Sequence, residues 1–290
     1  MSPKKPVLMT GVNGFCASRL YQYLKEKETV LGFDRRALDI TNRDACFRHM
    51  LETKPRVVIH SAAISKMDEC EKDPALSYRV NVLGPENLAK ACKAVGAKLI
   101  HFSTDQVYNG AKIMGPHKEI FVLDPVNVYG KHKKEAEERI ALETDDYAAI
   151  RLTWMHDFPV RGLYTSQNLI TMCQQALYAS TPLTLASRSG RGITYVHEVI
   201  GNIPALLSAP SGVYNFGSCS DISTYEAAQT VFTLLGAKSR IDELLRPENE
   251  EASKYPDLRM DCAKAAALGI RFSATEAGIE KAFREYGYQV

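Results

Sequence analysis

A tyrosine and a lysine lie four positions apart in the segment Tyr129-Gly130-Lys131-His132-Lys133. On a helix this spacing places both side chains on one face, one turn apart. A phenol has an ordinary pKa of about 10, so it donates a proton poorly near neutrality unless a cation lowers that pKa. The Lys133 ammonium can supply the charge. The pair predicts general acid catalysis, with Tyr129 as the proton donor to a carbonyl oxygen under reduction.

A hydroxyl at the end of a buried strand extends this candidate catalytic set. Ser103-Thr104-Asp105 ends the apolar run that starts at Lys98. The Thr104 hydroxyl can polarise the substrate oxygen. Lys133 can also hold the ribose next to a nicotinamide ring. The residues therefore favour reduction of a carbonyl group by a nicotinamide coenzyme.

A glycine-rich loop at Thr10–Ala17, TGVNGFCA, follows the first apolar run and opens a helical pattern. Gly11 permits a tight turn, and Gly14 lets a pyrophosphate approach the backbone. Free amides and the positive end of the helix then face the phosphates. This arrangement predicts a dinucleotide site. The loop residues predicted to contact the coenzyme are Gly11, Asn13, Gly14 and Phe15.

The residues after the second apolar run give two opposing indications of coenzyme type. Asp34 follows Gly14 by 20 positions, where a carboxylate binds the adenosine ribose hydroxyls. Arg35 and Arg36 come next, and guanidinium groups there can instead bind a 2′-phosphate. NADP(H) is favoured and NAD(H) stays open. Asp39 and Ile40 are expected at the adenine edge.

These side chains need a scaffold, and the hydrophobic pattern supplies one in which strands and helices alternate. Continuous apolar runs are typical of parallel strands covered on both faces, so we predict a doubly wound α/β (Rossmann) sheet. We assign residues 1–155 to a dinucleotide-binding domain and 156–290 mainly to a smaller substrate-binding lobe, with segments that return to the sheet. The predicted strands lie at 6–10, 29–33, 56–60, 98–103, 147–152, 183–186 and 213–216.

Composition restricts the class of partner. The formal net charge is +2, from 36 basic and 34 acidic residues, so neither nucleic acid nor an anionic membrane is expected. The seven cysteines form no CxxC pair and the histidines have no metal-ligand spacing, so no metal site is predicted. A small-molecule substrate, reduced thiols and a cytoplasmic location fit best.

The motifs together resemble the extended short-chain dehydrogenase/reductase superfamily, and within it the dTDP-4-dehydrorhamnose reductase family. The resemblance covers most of the chain. It is carried by Thr10–Ala17, Ser61-Ala62-Ala63, Asp68, Glu71, Asn81, Gly84, Ser103-Thr104-Asp105, Asn127-Val128-Tyr129-Gly130, Lys133, Thr153-Trp154, Asn168, Arg246-Pro247, Asp261 and Leu268-Gly269.

The resemblance implies a nucleotide-sugar substrate with a keto group, and it leaves room for a homodimer. It also implies that Thr104, Tyr129 and Lys133 are the catalytic residues. Further coenzyme contacts implied in this way are Ser61, Ala62, Ala63 and Ser103. The implied substrate contacts are Asp105, Gln106, Trp154, Asn168 and Arg246.

Departures from the family pattern keep other functions open. Gln106 stands where the reductases usually have an aromatic residue, and Met155-His156-Asp157 replaces their Tyr-Gly or Tyr-Ala. Dehydratases carry an acidic pair after the threonine, which Asp105-Gln106 lacks, so dehydration is disfavoured. A sugar-nucleotide epimerase stays open. So does a non-catalytic NADP-binding subunit resembling the regulatory subunit of methionine adenosyltransferase.

Overall fold

The computed structural model describes residues 4–188, 190–248 and 256–289. Six parallel strands form the central sheet, in the spatial order β2-β1-β3-β4-β5-β9. The strands are β1 Val7–Thr10, β2 Val30–Phe33, β3 Val57–His60, β4 Lys98–Thr104, β5 Tyr147–Leu152, β6 Trp154–His156, β7 Leu183–Leu185, β8 Ile193–Tyr195, β9 Gly212–Phe216 and β10 Leu245–Pro247.

Helices cover both faces of this sheet. One face packs against α2, α5 and α6, and the other against α1, α8 and α11. The α-helices are α1 Phe15–Lys25, α2 Arg43–Thr53, α3 Met67–Lys72, α4 Pro74–Tyr78, α5 Gly84–Val95, α6 Val128–Glu143, α7 Leu169–Ala179, α8 Val196–Asn202, α9 Thr224–Leu234, α10 Ile241–Leu244, α11 Ala263–Ala266 and α12 Thr275–Glu285.

Burial on both faces explains why the strands read as continuous apolar runs. Every residue of β1, β3 and β4 is buried, including the polar residues at their carboxyl ends. Alternate side chains along each strand enter opposite cores. The predicted doubly wound parallel sheet is confirmed.

The order of the strands determines where a ligand can enter. The chain runs from β1 to β2 on one side and then crosses to β3 on the other side of β1. The loops after β1 and β3 therefore diverge and leave a crevice at the carboxyl ends of these strands. The glycine-rich loop begins at this point, directly after Thr10.

The second half of the chain contributes one strand to the sheet and builds a smaller core. Strand β9 pairs with β5 in parallel. Two further parallel pairs, β6 with β8 and β7 with β10, stand outside the main sheet. The smaller core lies between α7, α9 and α12, around Phe158, Phe232 and Phe283. No helix in the described parts of the chain is both long and apolar enough to span a bilayer.

Candidate active site

Gly11 brings the glycine-rich loop against the loop that follows β3. Its φ of 71° is one that side chains disfavour, and a Cβ atom there would stand 2.6 Å from the backbone nitrogen of Ala62. Gly14 precedes α1, and no side chain caps that helix start. The first amides of α1 are thus available to an anion in the crevice. Both the positive φ of the turn and the close approach of Ala62 therefore require glycine at Gly11.

The loop after β3 is held by two side chains. Ser61 Oγ donates to the carbonyl of Thr10 at 2.9 Å. Asn81 accepts from the backbone amide of Ile64 and donates to its carbonyl, at 2.9 Å in each case. These bonds leave Ala62 and Ala63 at the crevice, with no polar side chain to obstruct a ligand.

The turn after β2 carries the residues predicted to select the coenzyme. Asp34 Oδ1 accepts from the backbone amides of Arg36 and Ala37 at 3.0 Å, and Oδ2 accepts from Asn13 at 3.4 Å. The Ala37 amide is the main reason why the pKa of Asp34 lies below its ordinary value. Arg35 and Arg36 are exposed, and within the described chain neither guanidinium forms a hydrogen bond or ion pair.

The next two predicted coenzyme residues lie differently from each other. Asp39 is exposed and accepts from the amide and hydroxyl of Thr41. Ile40 is buried, and its side chain packs against Gly84 at the start of α5. A contact of Ile40 with an adenine would have to come from its backbone.

Tyr129 lies at the start of α6, beside the end of β4. Asn127 caps this helix by accepting from the amide of Gly130 at 2.7 Å. A Cβ atom on Gly130 would stand 2.6 Å from the carbonyl oxygen of Gln106, so the helix start packs closely on the turn after β4. This packing brings the phenol to the Thr104 hydroxyl.

The pKa of Tyr129 is raised, chiefly because the phenol is buried. The negative charge of Asp105 raises this pKa further, with a smaller contribution from Cys70, and the Thr104 hydroxyl beside the phenol opposes them. The sequence predicted a pKa lowered by Lys133. In the structure desolvation outweighs any such effect, and the phenol stays protonated, as a proton donor requires.

Lys133 is buried beneath β4. Its Nζ donates to the carbonyl of Phe102 at 2.6 Å and lies 2.9 Å from His101 Nε2. Burial lowers the pKa of Lys133 to about 7, and the Glu137 carboxylate opposes that shift. Lys133 thus lies one turn from Tyr129, as predicted, but contacts β4.

The Ser103 side chain is buried against α6. Its hydroxyl donates to Glu137, whose carboxylate forms a buried ion pair with Arg151 at 2.7 Å. Adjacent strand residues point to opposite faces, so Ser103 and Thr104 direct their side chains to different sides of the sheet. A coenzyme contact of Ser103 would involve its backbone.

Asp105 forms an ion pair that sequence reasoning missed. Arg191 Nη2 donates to Asp105 Oδ2 at 2.7 Å, and its guanidinium carbon lies 5.6 Å from the ring centroid of Trp154. The two partners are 86 positions apart, so no local spacing indicated the pair. Gln106 lies beside it, and its Nε2 is 3.5 Å from Asp105 Oδ1.

A cavity of about 180 Å³ opens next to this pair. Trp154, Arg191, Thr184 and Glu248 contribute to its wall. Arg246 is exposed on β10, in register with Thr184 of β7, so it lies near this cavity. A larger depression of about 620 Å³ lies between α5, α6 and residues 123–125, and none of the predicted site residues lines it.

The family resemblance implies a substrate contact for Asn168, but its side chain is bonded within the fold. It is fully buried and caps α7, accepting from the amides of Ile170 and Thr171 at 3.1 and 3.4 Å. Its Nδ2 donates to the carbonyl of Ser166 at 3.1 Å. Its amide group is therefore engaged in shaping the start of α7.

Comparison with known protein families gives one match that spans the chain. A model described as the RmlD substrate binding domain matches residues 5–287. The dTDP-4-dehydrorhamnose reductase of Streptomyces griseus is 32% identical over 282 residues, which is 92% of this chain and 89% of that protein. Methionine adenosyltransferase 2 subunit beta of Xenopus laevis is 28% identical over 287 residues, 92% of this chain and 84% of that protein.

Solved structures share the fold. The dTDP-4-dehydrorhamnose reductase of Bacillus anthracis in complex with NADP has a TM-score of 0.86 and 26% identity, covering 97% of this chain and 99% of that chain. The UDP-glucose 4-epimerase of Thermus thermophilus in complex with NAD has a TM-score of 0.79 and 22% identity, covering 96% of this chain and 99% of that one. At that identity the epimerase supports the fold alone.

Proposed function

The chain belongs to the RmlD substrate binding domain family, and from this premise we propose that it reduces a keto group of a nucleotide-sugar with NAD(P)H. The observation that carries the proposal is the position of a buried, protonated Tyr129 beside Thr104, at the carboxyl end of β4. The crevice with the glycine-rich loop opens at the same end of the sheet. The proposed proton donor and the proposed dinucleotide site thus share one edge of the fold.

The residues at the crevice fit a nicotinamide dinucleotide. A side chain at Gly11 is excluded by Ala62, and the start of α1 is uncapped. Arg35 and Arg36 are exposed, and neither guanidinium forms a hydrogen bond or a close ion pair within the described chain. The first two features suit a pyrophosphate, and the arginines suit a 2′-phosphate. NADP(H) is therefore favoured, in agreement with the NADP complex of the Bacillus anthracis reductase. Asp34 leaves NAD(H) open.

In the proposed reaction the bound coenzyme supplies a hydride to the carbonyl carbon. Tyr129 delivers its phenolic proton to the carbonyl oxygen, and Thr104 donates a hydrogen bond to that oxygen as negative charge develops. The product is an alcohol, and Tyr129 is left as a phenolate that must regain a proton. The Lys133 ammonium, one turn away, favours that phenolate electrostatically.

The substrate would lie across the Asp105–Arg191 pair. Arg191 has a guanidinium group at the crevice edge, which suits the diphosphate of a nucleotide-sugar. Trp154, below that guanidinium, offers an apolar surface for a sugar or a base. In this proposal residues 1–155 bind the coenzyme and most of 156–290 holds the sugar nucleotide. The dTDP-4-dehydro sugars are the first candidates, and the seven free thiols suit a cytoplasmic location.

A second candidate is a non-catalytic, NADP-binding regulatory subunit. The specific observation in its favour is the similarity to methionine adenosyltransferase 2 subunit beta over 92% of the chain. Tyr129 and Lys133 do not separate the two functions. Turnover does, because a regulator would bind the coenzyme without consuming it. An epimerase is a third candidate, and it would convert a nucleotide-sugar without net loss of NADPH.

The test measures NADPH oxidation with a panel of nucleotide-sugars that carry a 4-keto group. We expect turnover, and a Tyr129→Phe variant should lose about 10²- to 10⁴-fold in kcat while its affinity for NADPH stays within about twofold. Tyr178→Phe, on an exposed surface of α7, is the matched control and should keep full activity. Coenzyme binding without turnover of any sugar, or undiminished turnover by Tyr129→Phe, would contradict the proposal.

A further inference from the structure

A row of polar side chains crosses the middle of the sheet and ends at Lys133. Thr10 on β1, His60 on β3 and His101 on β4 are register partners, so their side chains stand next to one another on one face. Thr10 Oγ1 lies 2.7 Å from His60 Nδ1, and His101 Nε2 lies 2.9 Å from Lys133 Nζ. The two imidazole centroids are 5.1 Å apart. All four residues are buried.

The charge of Lys133 fixes the direction of its hydrogen bond with His101. When Lys133 is charged, its ammonium has only donors, so the Nε2 of His101 accepts from it and the His101 ring proton lies on Nδ1. His101 Nδ1 and His60 Nε2 have no partner within the described residues. The two atoms belong to neighbouring rings of the same row. His101 therefore stands in this row as a neutral acceptor toward Lys133.

Lys133 depends on such acceptors because its ammonium is almost completely removed from water. A buried charge is costly unless hydrogen bonds replace its hydration. Two acceptors contact Nζ, the carbonyl of Phe102 and His101 Nε2. The acid that acts on this amine, Glu137, is already bonded to Arg151 and Ser103. His101 is thus the side chain that satisfies the ammonium directly.

We propose that His101 is a positioning residue for Lys133, which accepts one ammonium N–H and fixes the group beneath β4 with one N–H left for the crevice. An ammonium has three N–H bonds, and His101 and the Phe102 carbonyl use two of them. The free N–H is the one that can serve a bound coenzyme or Tyr129. Only the assistance that Lys133 gives to Tyr129 rests on the proposed function.

Several titratable groups surround this ammonium. His60 comes from β3 and His101 from β4, and burial lowers the pKa of both, so they add no positive charge near neutrality. Glu137 and Tyr129 come from α6 itself. From α3, Cys70 acts on Tyr129 rather than on Lys133. Among these groups only Glu137 carries a negative charge toward Lys133 near neutrality, and it favours the charged amine.

The test compares His101→Phe, which removes the acceptor, with His101→Gln, whose amide oxygen can still accept. His101→Leu is a second apolar variant in case His101→Phe does not fold, and His49→Gln on α2 is the control away from the site. The first readout needs no activity. It is the titration of the Lys133 amine by NMR of protein with ¹⁵N-labelled lysine, assigned with Lys133→Met.

Loss of one hydrogen bond to the charged amine should lower its proton affinity about tenfold. We expect this decrease in His101→Phe or His101→Leu, near-complete rescue in His101→Gln, and no change in His49→Gln. Lys133 loses its proton as pH rises, so the alkaline limb of the kcat profile should move to lower pH in the apolar variants and return in His101→Gln.

The outcomes separate this inference from the proposed function. An unchanged Lys133 titration in a folded His101→Phe or His101→Leu protein would overturn the inference, with or without turnover. Equal shifts in His101→Gln and the apolar variants would also overturn it, because the acceptor would then be irrelevant. If no nucleotide-sugar is reduced but the titration shifts as expected, the inference stands and the proposed function fails.

Discussion

Arg19 Nε donates to Asp157 Oδ2 at 2.6 Å, and both side chains are buried. Arg19 belongs to α1, the helix that opens the glycine-rich loop, and Asp157 follows β6 in the second half of the chain. The same guanidinium also donates to the carbonyls of Phe158 and Tyr164. One side chain therefore joins α1 to the segment that leads to α7.

Removal of the Asp157 charge should destabilise the fold strongly. In Asp157→Asn the shape is kept but the Arg19 charge stays buried without its partner, which costs about 3–5 kcal/mol in such pairs. Urea unfolding measures this loss. The control is Glu69→Gln, which breaks the exposed pair with Lys66 and should cost less than about 1 kcal/mol. A loss in Asp157→Asn no larger than the control's would refute this role.

His156 should limit stability in acid. It is fully buried, neither ring nitrogen has a partner among the described residues, and burial lowers its pKa to about 4. Between pH 6.5 and about 4 the unfolded chain binds a proton that the folded chain does not, so the free energy of unfolding falls as pH decreases. At about 1.4 kcal/mol per pKa unit, the contribution is about 3 kcal/mol.

His156→Phe removes both the titration and the unpaired nitrogens. We expect a flatter acid limb of stability against pH and, at neutral pH, a gain of about 1–3 kcal/mol. The aromatic ring can keep its stacked position on Tyr195. Guanidinium unfolding at several pH values tests this. An acid limb as steep as that of the parent protein would show that other groups control it.

Coenzyme preference should depend on Arg35 and Arg36. If these guanidinium groups bind a 2′-phosphate, the double variant Arg35→Ala/Arg36→Ala should bind NADPH at least about tenfold more weakly, since hydrogen bonds to charged groups contribute about 1.5–3 kcal/mol. Its affinity for NADH should change less than about twofold, because NADH lacks that phosphate. Arg48→Ala, on the exposed side of α2, is the control. Equal weakening for both coenzymes would contradict a phosphate-specific contact.

Cys219 should be the most reactive thiol. It is exposed, and its interaction with the Cys262 thiol is the main reason why its pKa is lowered to about 6. The other six cysteines are buried. Iodoacetamide should label Cys219 first, at a rate that rises with pH through about 6 rather than about 8.5, the value of an ordinary thiol.

Peptide mass mapping after brief alkylation identifies the labelled residue. Cys262→Ala should move the rate profile toward that of an ordinary thiol, and Cys219→Ser should abolish rapid labelling. Faster labelling of a buried cysteine, or an unchanged profile in Cys262→Ala, would contradict the assignment.

Much of this site follows from local sequence patterns, because its elements are local. The glycine-rich loop, the strand end at Thr104 and the Tyr129–Lys133 helix each occupy a short segment, and the order of strands brings them to one edge. The Asp105–Arg191 pair joins two segments that no short pattern relates. It was visible only in three dimensions.

The internal contacts of three predicted ligands were not predicted, for a different reason. The side chains of Ser103, Ile40 and Asn168, three predicted ligands, are engaged by Glu137, Gly84 and the start of α7, respectively. Contact of these residues with a ligand stays a prediction. For Ser103 the alternation of side chains along β4 gives a usable signal, since Thr104 already faces the other side. The pKa of Tyr129 could not be predicted, because desolvation depends on the complete packing around it.

The pairing of β9 with β5 has a practical consequence for anyone who wishes to divide the molecule. Residues 148–152 and 212–216 form the last ladder of the sheet, in register from Ala148 with Gly212 to Leu152 with Phe216. A protein truncated after residue 155 would lack β9, so the outer edge of β5 would have no pairing strand. Such exposed backbone invites intermolecular pairing and precipitation. An isolated fragment of residues 1–155 would therefore need β9 restored, or another segment that covers the exposed edge of β5.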